Sequence, residues 1–368
     1  MTAPLRIGIL NDMASAPPGP VNIEPWLRFA ADELINNGRL DREVEFIHGF
    51  GLGLPNGTAA AVEHAYKTLA EQDVLLIIGP AIGDNALAAT PCAEKYRIPT
   101  INWAGTERAR SHYMFHLQVG SHEDESILLA QHLNRLGAKR VGIIHDRSPI
   151  GRRHLHFFQM EAEILSLRIS ATASISPIAE TASTEIAEIL DSKPDALLYL
   201  GLGIAAPAVA KTLAGFSGPR AMNTAGIRGY SPDFAKLIDG WTYVDMHADD
   251  NQTLAALRAK QNIPAHGALA AAKGYDLGRL MAEALARATE RTREGVREGL
   301  EQIKLLPAAE GHQGTTLGFG HYDHGALHGR YLVLRQWRNG ASVEHGAFRE
   351  KGQGSALDPP GPEAPDPH

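Results

Sequence analysis

Three histidines, His321, His324 and His328, crowd a short stretch near the end of the chain, a density that raises the question of a metal. Gly325 and Gly329 interrupt any helix that would align them, and β-like runs flank the segment, so a hairpin tip is the expected structure. Gly49, Gly51 and Gly53 follow a strand-like run, as a dinucleotide loop would, but the spacing is G-x-G-x-L-P and Pro55-Asn56-Gly57 reads as a turn. Gly201 and Gly203 also follow a strand, without the lysine or third glycine that phosphate binding needs. No serine sits in a G-x-S-x-G elbow. Cys92, the only cysteine, has no basic neighbour to activate it and is expected to pack inside a helix. No catalytic residue, metal or cofactor is expected, and the chain does not read as an enzyme.

Two loops do carry binding chemistry. Gly79-Pro-Ala-Ile-Gly-Asp-Asn-Ala86 is a small-residue loop that opens a helix, whose first N–H groups lack helical partners. It contains Asp84 and Asn85. Asn102-Trp-Ala-Gly-Thr-Glu107 places a hydroxyl, small residues and one large aromatic at a second strand end, a mixture that suits a small-molecule pocket. Trp103 and Thr106 are the candidate contacts there. The alternative is that Thr106 caps a turn and Trp103 belongs to the core.

These loops need elements to hold them. Apolar runs at Leu5–Leu10, Val44–His48, Val74–Ile78, Thr100–Trp103 and Met114–Val119 predict strands, alternating with helices over Pro25–Asn36, Thr58–Glu71 and Asn85–Tyr96. The rhythm restarts with helix Glu123–Leu136 and strand Arg140–His145. Strands Ala196–Leu200, Arg220–Asn223 and Trp241–Met246 follow, with helices Gly151–Leu167, Ser183–Leu190 and Ala206–Leu213 between them. Two later helices, Gly267–Ala286 and Thr292–Leu305, and a β-like pair, Thr316–His321 and Gly329–Trp337, complete the pattern. Such alternation builds parallel sheets, with ligands beyond the carboxyl ends of the strands. Two runs imply two lobes and one cleft.

The 368 residues exceed what one core usually holds, which fits two domains. With 44% hydrophobic and 21% charged residues and a net charge of −7, nucleic acid is excluded as a natural partner. No run approaches the roughly 20 apolar residues of a membrane span. Met1-Thr-Ala-Pro leads into the first strand without an export signal, so a periplasmic location requires a removed signal peptide; otherwise the chain is cytoplasmic. The stretch Gly352–His368, rich in Pro, Gly and acid, is expected to be a disordered tail.

Local phrasing then adds a family. Gly19-Pro-Val21, Ile78-Gly-Pro80, Pro99-Thr-Ile-Asn102 through Thr106, Val141-Gly-Ile-Ile-His-Asp146, Tyr275-Asp276 and Gly329-Arg-Tyr-Leu-Val-Leu334 occur in the order and spacing of one group. The chain resembles the type I periplasmic solute-binding proteins of the branched-chain amino-acid class, receptors of ATP-driven importers, and their cytoplasmic amide-sensing relatives. The resemblance implies an α/β fold of two Rossmann-like lobes joined by a three-crossover hinge. The crossovers would fall near 119–121, 245–250 and 324–329. Residues 1–119 with 250–326 would form one lobe, 120–249 with 327–349 the other, and 350–368 the tail. The implied ligand contacts are Gly83 to Asn85, Ala104 and Thr106 from the first lobe, and Ile150, Gly203 and Ala225 from the second. Where amino-acid receptors of this group often carry a serine this chain has Gly83, and where they carry an acid to pair the ligand's ammonium it has Ala225. Arg228 could instead pair a carboxylate. The expected ligand is therefore a carboxylate or amide-like metabolite rather than a free α-amino acid. Its partner would be an importer permease, or a regulator protein if the chain is a cytoplasmic sensor.

Overall fold

Five apolar runs of the first half lie side by side as β1 (Leu5–Leu10), β2 (Val44–Gly49), β3 (Leu76–Ile78), β4 (Thr100–Asn102) and β5 (Met114–His116), all parallel, in the order β2-β1-β3-β4-β5. The computed structural model describes residues 3–12, 23–52, 58–230, 232–264 and 267–345, without the side chains of 228–230 and 232. The cue Gly19-Pro-Val21, Gly53 with the Pro55-Asn56-Gly57 turn, the side chain of Arg228 and the tail lie outside the described residues.

Both faces of this sheet are covered, because successive side chains of a strand point to opposite sides. Ile7, Ile9, Leu76, Ile78, Ile101 and Phe115 pack against α1 (Glu24–Asn36), α10 (Ala268–Arg287) and α11 (Arg293–Glu301). Leu10, Ile77 and Met114 pack on the other face against α2 (Ala59–Ala70) and α3 (Gly83–Tyr96). Inside α3, Cys92 is buried, its thiol donating to the Ala88 carbonyl at 3.7 Å, and burial pushes its pKa up.

The second sheet contains β6 (Arg140–Asp146), β7 (Arg168–Ile175), β8 (Ala196–Leu200), β9 (Arg220–Met222), β10 (Trp241–Asp245), β14 (Val333–Arg338) and β15 (Ala341–Glu344). Their order is β15-β14-β10-β9-β8-β6-β7; the strands from β7 to β10 are parallel, and β14 and β15 add antiparallel edges. Val141, Ile143, Leu198 and Val244 face α4 (Asp124–Arg135) and α5 (Pro149–Ile164). Ile144, Leu197, Tyr199 and Tyr243 face α6 (Ser183–Asp191), α7 (Ala206–Thr212), α8 (Pro232–Leu237) and the 3-10 turn Thr224–Tyr230. The chain passes between the two cores after β5, after β10 and again before β14.

The structure also contains elements not expected from sequence. β7 is a half-exposed edge strand of small polar residues, and β15 an exposed four-residue edge. α9 (Gln252–Gln261) buries only Leu254 and Leu257, and α8 is six residues long. The run Thr316–His321 is shorter than expected: β12 covers Thr316–Leu317 between β11 (Leu306–Pro307) and β13 (Leu327–His328), all antiparallel.

Candidate ligand-binding cleft

Each sheet carries an aspartate at the end of its first strand that organises the loop beside it. Asp12 is buried and accepts hydrogen bonds from Ala81 N at 3.1 Å, Ile82 N at 2.6 Å and Asn85 Nδ2 at 3.3 Å. Burial nevertheless raises its pKa, against these hydrogen bonds. Asp146 accepts from Leu202 N at 2.7 Å and Ser148 N at 3.2 Å, and the Ser148 hydroxyl donates to it as well. Ser148 Oγ in turn accepts from Gly151 N at 2.9 Å, capping α5. The loop after β3 thus closes on β1, and the loop after β8 closes on β6. Gly79 permits the first approach: its φ is +105°, and a Cβ there would stand 2.5 Å from the Leu10 carbonyl oxygen. Sequence reasoning gave Asp12 only as a possible negative charge for the ligand and quoted Asp146 only within a family cue; neither was read as the anchor of a loop. A signal was present, since Gly8-Ile-Leu-Asn-Asp12 recurs as Gly142-Ile-Ile-His-Asp146.

Between the two sets of loops lies a cavity of about 210 Å³, lined among others by Asp84, Thr106, His122, Ile150, Arg152 and Arg153. Gly83 and Asp84 open α3 and Thr106 follows β4 on the side of the first sheet, and Ile150 opens α5 beside the second, so four of the sequence candidates meet. Leu87, Arg108 and Pro149 complete the wall. A larger cavity, about 410 Å³, runs along α4 against residues 329–332, away from these strand ends.

The other candidates are placed differently. Asn85 is fully buried with its amide on Asp12. Ala104 is fully buried, its carbonyl accepting from His116 Nε2 at 2.6 Å and Val119 N at 3.3 Å. Trp103 packs on the first core with the Lys273 ammonium 5.7 Å from its ring centre. Gly203 lies in the β8 loop with φ +91°, and its carbonyl accepts from Ala206 N at 3.3 Å. Ala225 is buried in the apolar core under the 3-10 turn, which also carries Arg228. None of these five is among the residues lining the cavity.

Charge at the cavity is predominantly positive. Arg108, Arg152 and Arg153 face one acid, Asp84, whose pKa is raised by burial while Arg152 opposes the shift. Arg153 is ion-paired with Glu123. Near Ala225 the acid is Glu125, but its oxygens accept from Ser121 N and Thr224 N, each at 2.8 Å. The three C-terminal histidines do not converge on one point. His324 stacks on Phe115 at 4.0 Å with Nδ1 on the Ser111 carbonyl, His328 bonds the Gly318 carbonyl, and His321 lies beside Glu301. Among the described residues no group of three His, Cys, Asp or Glu could hold a metal.

Two flanked sheets, one parallel and one mostly parallel, three passages of chain and a cavity at facing strand ends define a type I periplasmic-binding-protein fold. The chain belongs to the periplasmic binding protein family, whose model matches residues 4–341, and it is a solute-binding protein rather than an enzyme. It is similar to the type 1 periplasmic binding protein of Bordetella pertussis Tohama I, at 18% identity over 94% of this chain and 100% of the other, with a TM-score of 0.78. It is also similar to the leucine-binding protein LivK of Thermotoga maritima MSB8, at 16% identity over 93% and 98% of the two chains, with a TM-score of 0.75. A substrate-binding protein of an ABC transporter from Desulfitobacterium hafniense, in complex with Leu, shares 15% identity over 93% and 100% of the chains, with a TM-score of 0.75. No curated protein matches the chain. No helix among the described residues is long and apolar enough to cross a membrane.

Proposed function

We propose that this protein is the receptor of an ATP-driven importer and that it captures a small organic carboxylate by closing two lobes around it. The observation that carries the reading is the charge of the cavity: three arginines line it against one carboxylate. A ligand ammonium would meet that excess of like charge and lose its hydration without an anionic partner at position 225, whereas a carboxylate would gain from both. The lobes would divide as 1–119 with 250–326 and 120–249 with 327–349, and a permease would receive the closed form. Ile150 and Leu87 supply apolar wall, so the anion carries a short aliphatic or aromatic body.

Calorimetric titration tests this directly. The expected result is binding of 4-methyl-2-oxopentanoate or phenylacetate with weak or no binding of leucine and phenylalanine. Tight leucine binding with none of the acids would refute the carboxylate reading.

A further inference from the structure

We propose that His122 is the specificity-determining residue of this cleft, donating a hydrogen bond to the ligand's carboxylate from the space that Gly83 leaves open. The inference rests on the carboxylate-receptor reading and names the residue that would enforce it.

His122 is 6% exposed, lines the cavity, and its Nδ1 is buried with no hydrogen-bond partner among the described residues. A buried polar atom usually finds a partner, so an unsatisfied one on a residue of the cavity wall is a donor or acceptor still to be used. Two glycines seat the ring. A Cβ on Gly105 would stand 2.9 Å from Nε2, and one on Gly83 would stand 3.3 Å from the Thr106 methyl and 3.6 Å from His122 Cε1. The volume a side chain at position 83 would occupy is therefore bounded by Thr106 and by the imidazole. The His122 backbone fixes this arrangement, its N–H donating to the Gly105 carbonyl at 3.2 Å.

Behind the ring, His154 lies 4.9 Å away, centre to centre. His154 contacts Ser126 Oγ through Nδ1 at 3.0 Å and Asn223 Nδ2 through Nε2 at 3.1 Å. The Asn223 amide nitrogen can only donate, so His154 Nε2 accepts and Nδ1 carries the proton. His154 is thus neutral and fully engaged, which leaves His122 as the member of the pair available to a ligand. The bound anion would also meet the first turn of α3, a 14-residue helix whose N-cap, Ile82, supplies no side-chain cap.

Burial pulls the His122 pKa down to about 4, with Glu123 raising it and Arg153 lowering it. Facing it are His154 from α5, Asp84 from α3, Arg108 from the β4 loop, Arg152 and His116. His116 and His154 are themselves held neutral by burial. Free His122 is then neutral at pH 7. A carboxylate beside it favours the imidazolium, so its binding takes up a proton as pH falls, whereas an uncharged amide has no such coupling.

The test is calorimetry with 4-methyl-2-oxopentanoate, phenylacetate and phenylacetamide at pH 5.5 and 7.5, in buffers of different ionisation enthalpy. The expected result is proton uptake at pH 5.5 on binding of the acids and none for the amide. In His122→Phe, affinity for the acids should fall about tenfold and the uptake should vanish. Thr106→Val should weaken binding and retain the uptake. Acid binding that is unchanged in His122→Phe, within about threefold and with the same uptake, would overturn the role of His122 while leaving the receptor reading intact. Failure of the wild-type protein to bind either acid would overturn both. Should His122→Phe not fold, imidazole NMR of the wild-type protein decides: the His122 titration midpoint should rise by about one pH unit or more with 4-methyl-2-oxopentanoate, and an unmoved midpoint refutes the proposal.

Discussion

Asp12 and Asp146 occupy the same place in the two sheets, each at the carboxyl end of the first strand and each accepting from the loop after the strand beside it, Asp12 from Ala81 N and Ile82 N and Asp146 from Leu202 N. Acidic side chains at the strand ends of a cleft invite a ligand role, but these two are spent on the protein. They hold the loops whose ends line the cavity.

Asp12→Ala would leave the N–H groups of Ala81 and Ile82 without this acceptor in a buried setting. Each unsatisfied buried group costs about 1–3 kcal/mol. Equilibrium urea unfolding should show a loss in that range or above it, and carboxylate affinity should fall with it because the loop reaches the cavity through Gly83 and Asp84. Unchanged stability would mean that the loop after β3 holds its shape without this carboxylate.

Thr106 is 2% exposed and forms part of the cavity wall. Thr106→Val keeps its volume and removes the hydroxyl, which should cost about 0.5–1.5 kcal/mol of binding, or up to about 3 against a charged head. Calorimetry alongside a thermal melt separates this from a folding defect. A variant with intact affinity and an intact melt would confine the Thr106 hydroxyl to its turn, where it accepts from Arg108 N at 3.4 Å.

Lys273 and Glu310 form a buried pair, 3.8 Å apart. Burial pushes the lysine pKa down and the glutamate up, and each opposes the shift of the other. Removing one partner, as in Lys273→Met, leaves the buried Glu310 carboxyl, already pushed up to about 8, without its cation and should cost about 3–5 kcal/mol in urea unfolding. The double variant Lys273→Met, Glu310→Leu should recover most of that loss. Equal loss in the single and double variants would show that the pair contributes packing rather than charge compensation.

His116 donates Nε2–H to the Ala104 carbonyl and accepts from Arg110 Nε at Nδ1, so it must be neutral. Burial lowers its pKa from 6.5 to about 3. Because the folded pKa lies below the unfolded one, the unfolded chain binds this proton first as pH falls. Stability should therefore drop below about pH 6.5, by about 1.4 kcal/mol per pH unit for this one group, until about pH 3. Urea titrations at pH 7, 6 and 5 should show a shallower acid slope in His116→Gln. Identical slopes would assign the acid loss to other groups, of which His132 and His122, each lowered to about 4 by burial, are the first to try.

Strands with both faces covered were legible as continuous apolar runs: all five residues of β8 are buried, and its sequence marks it unaided. β7 has only Ala173 and Ile175 buried and reads as an exposed loop, because its edge position relieves it of an apolar pattern. α9 was invisible for a related reason, since two buried leucines in ten residues make no stripe. Of the residues that line the cavity, Asp84 and Thr106 were read from strand-end loops and Ile150 from the family resemblance. His122 was missed because it lies on the segment leaving β5, and its role depends on two glycines distant in sequence. Asn85 looked like a ligand contact from its loop, and only the fold reveals that Asp12 lies within reach of its amide.

The burial of Cys92 has a practical side. The chain's single sulfhydryl is shielded in α3 and held in its unreactive form, so maleimide dyes should leave the native protein unlabelled. A cysteine introduced at exposed Glu107, beside Thr106, would then be the one attachment point for an environment-sensitive fluorophore. The scaffold is in that sense already prepared as a reagentless optical reporter for whatever enters its cleft.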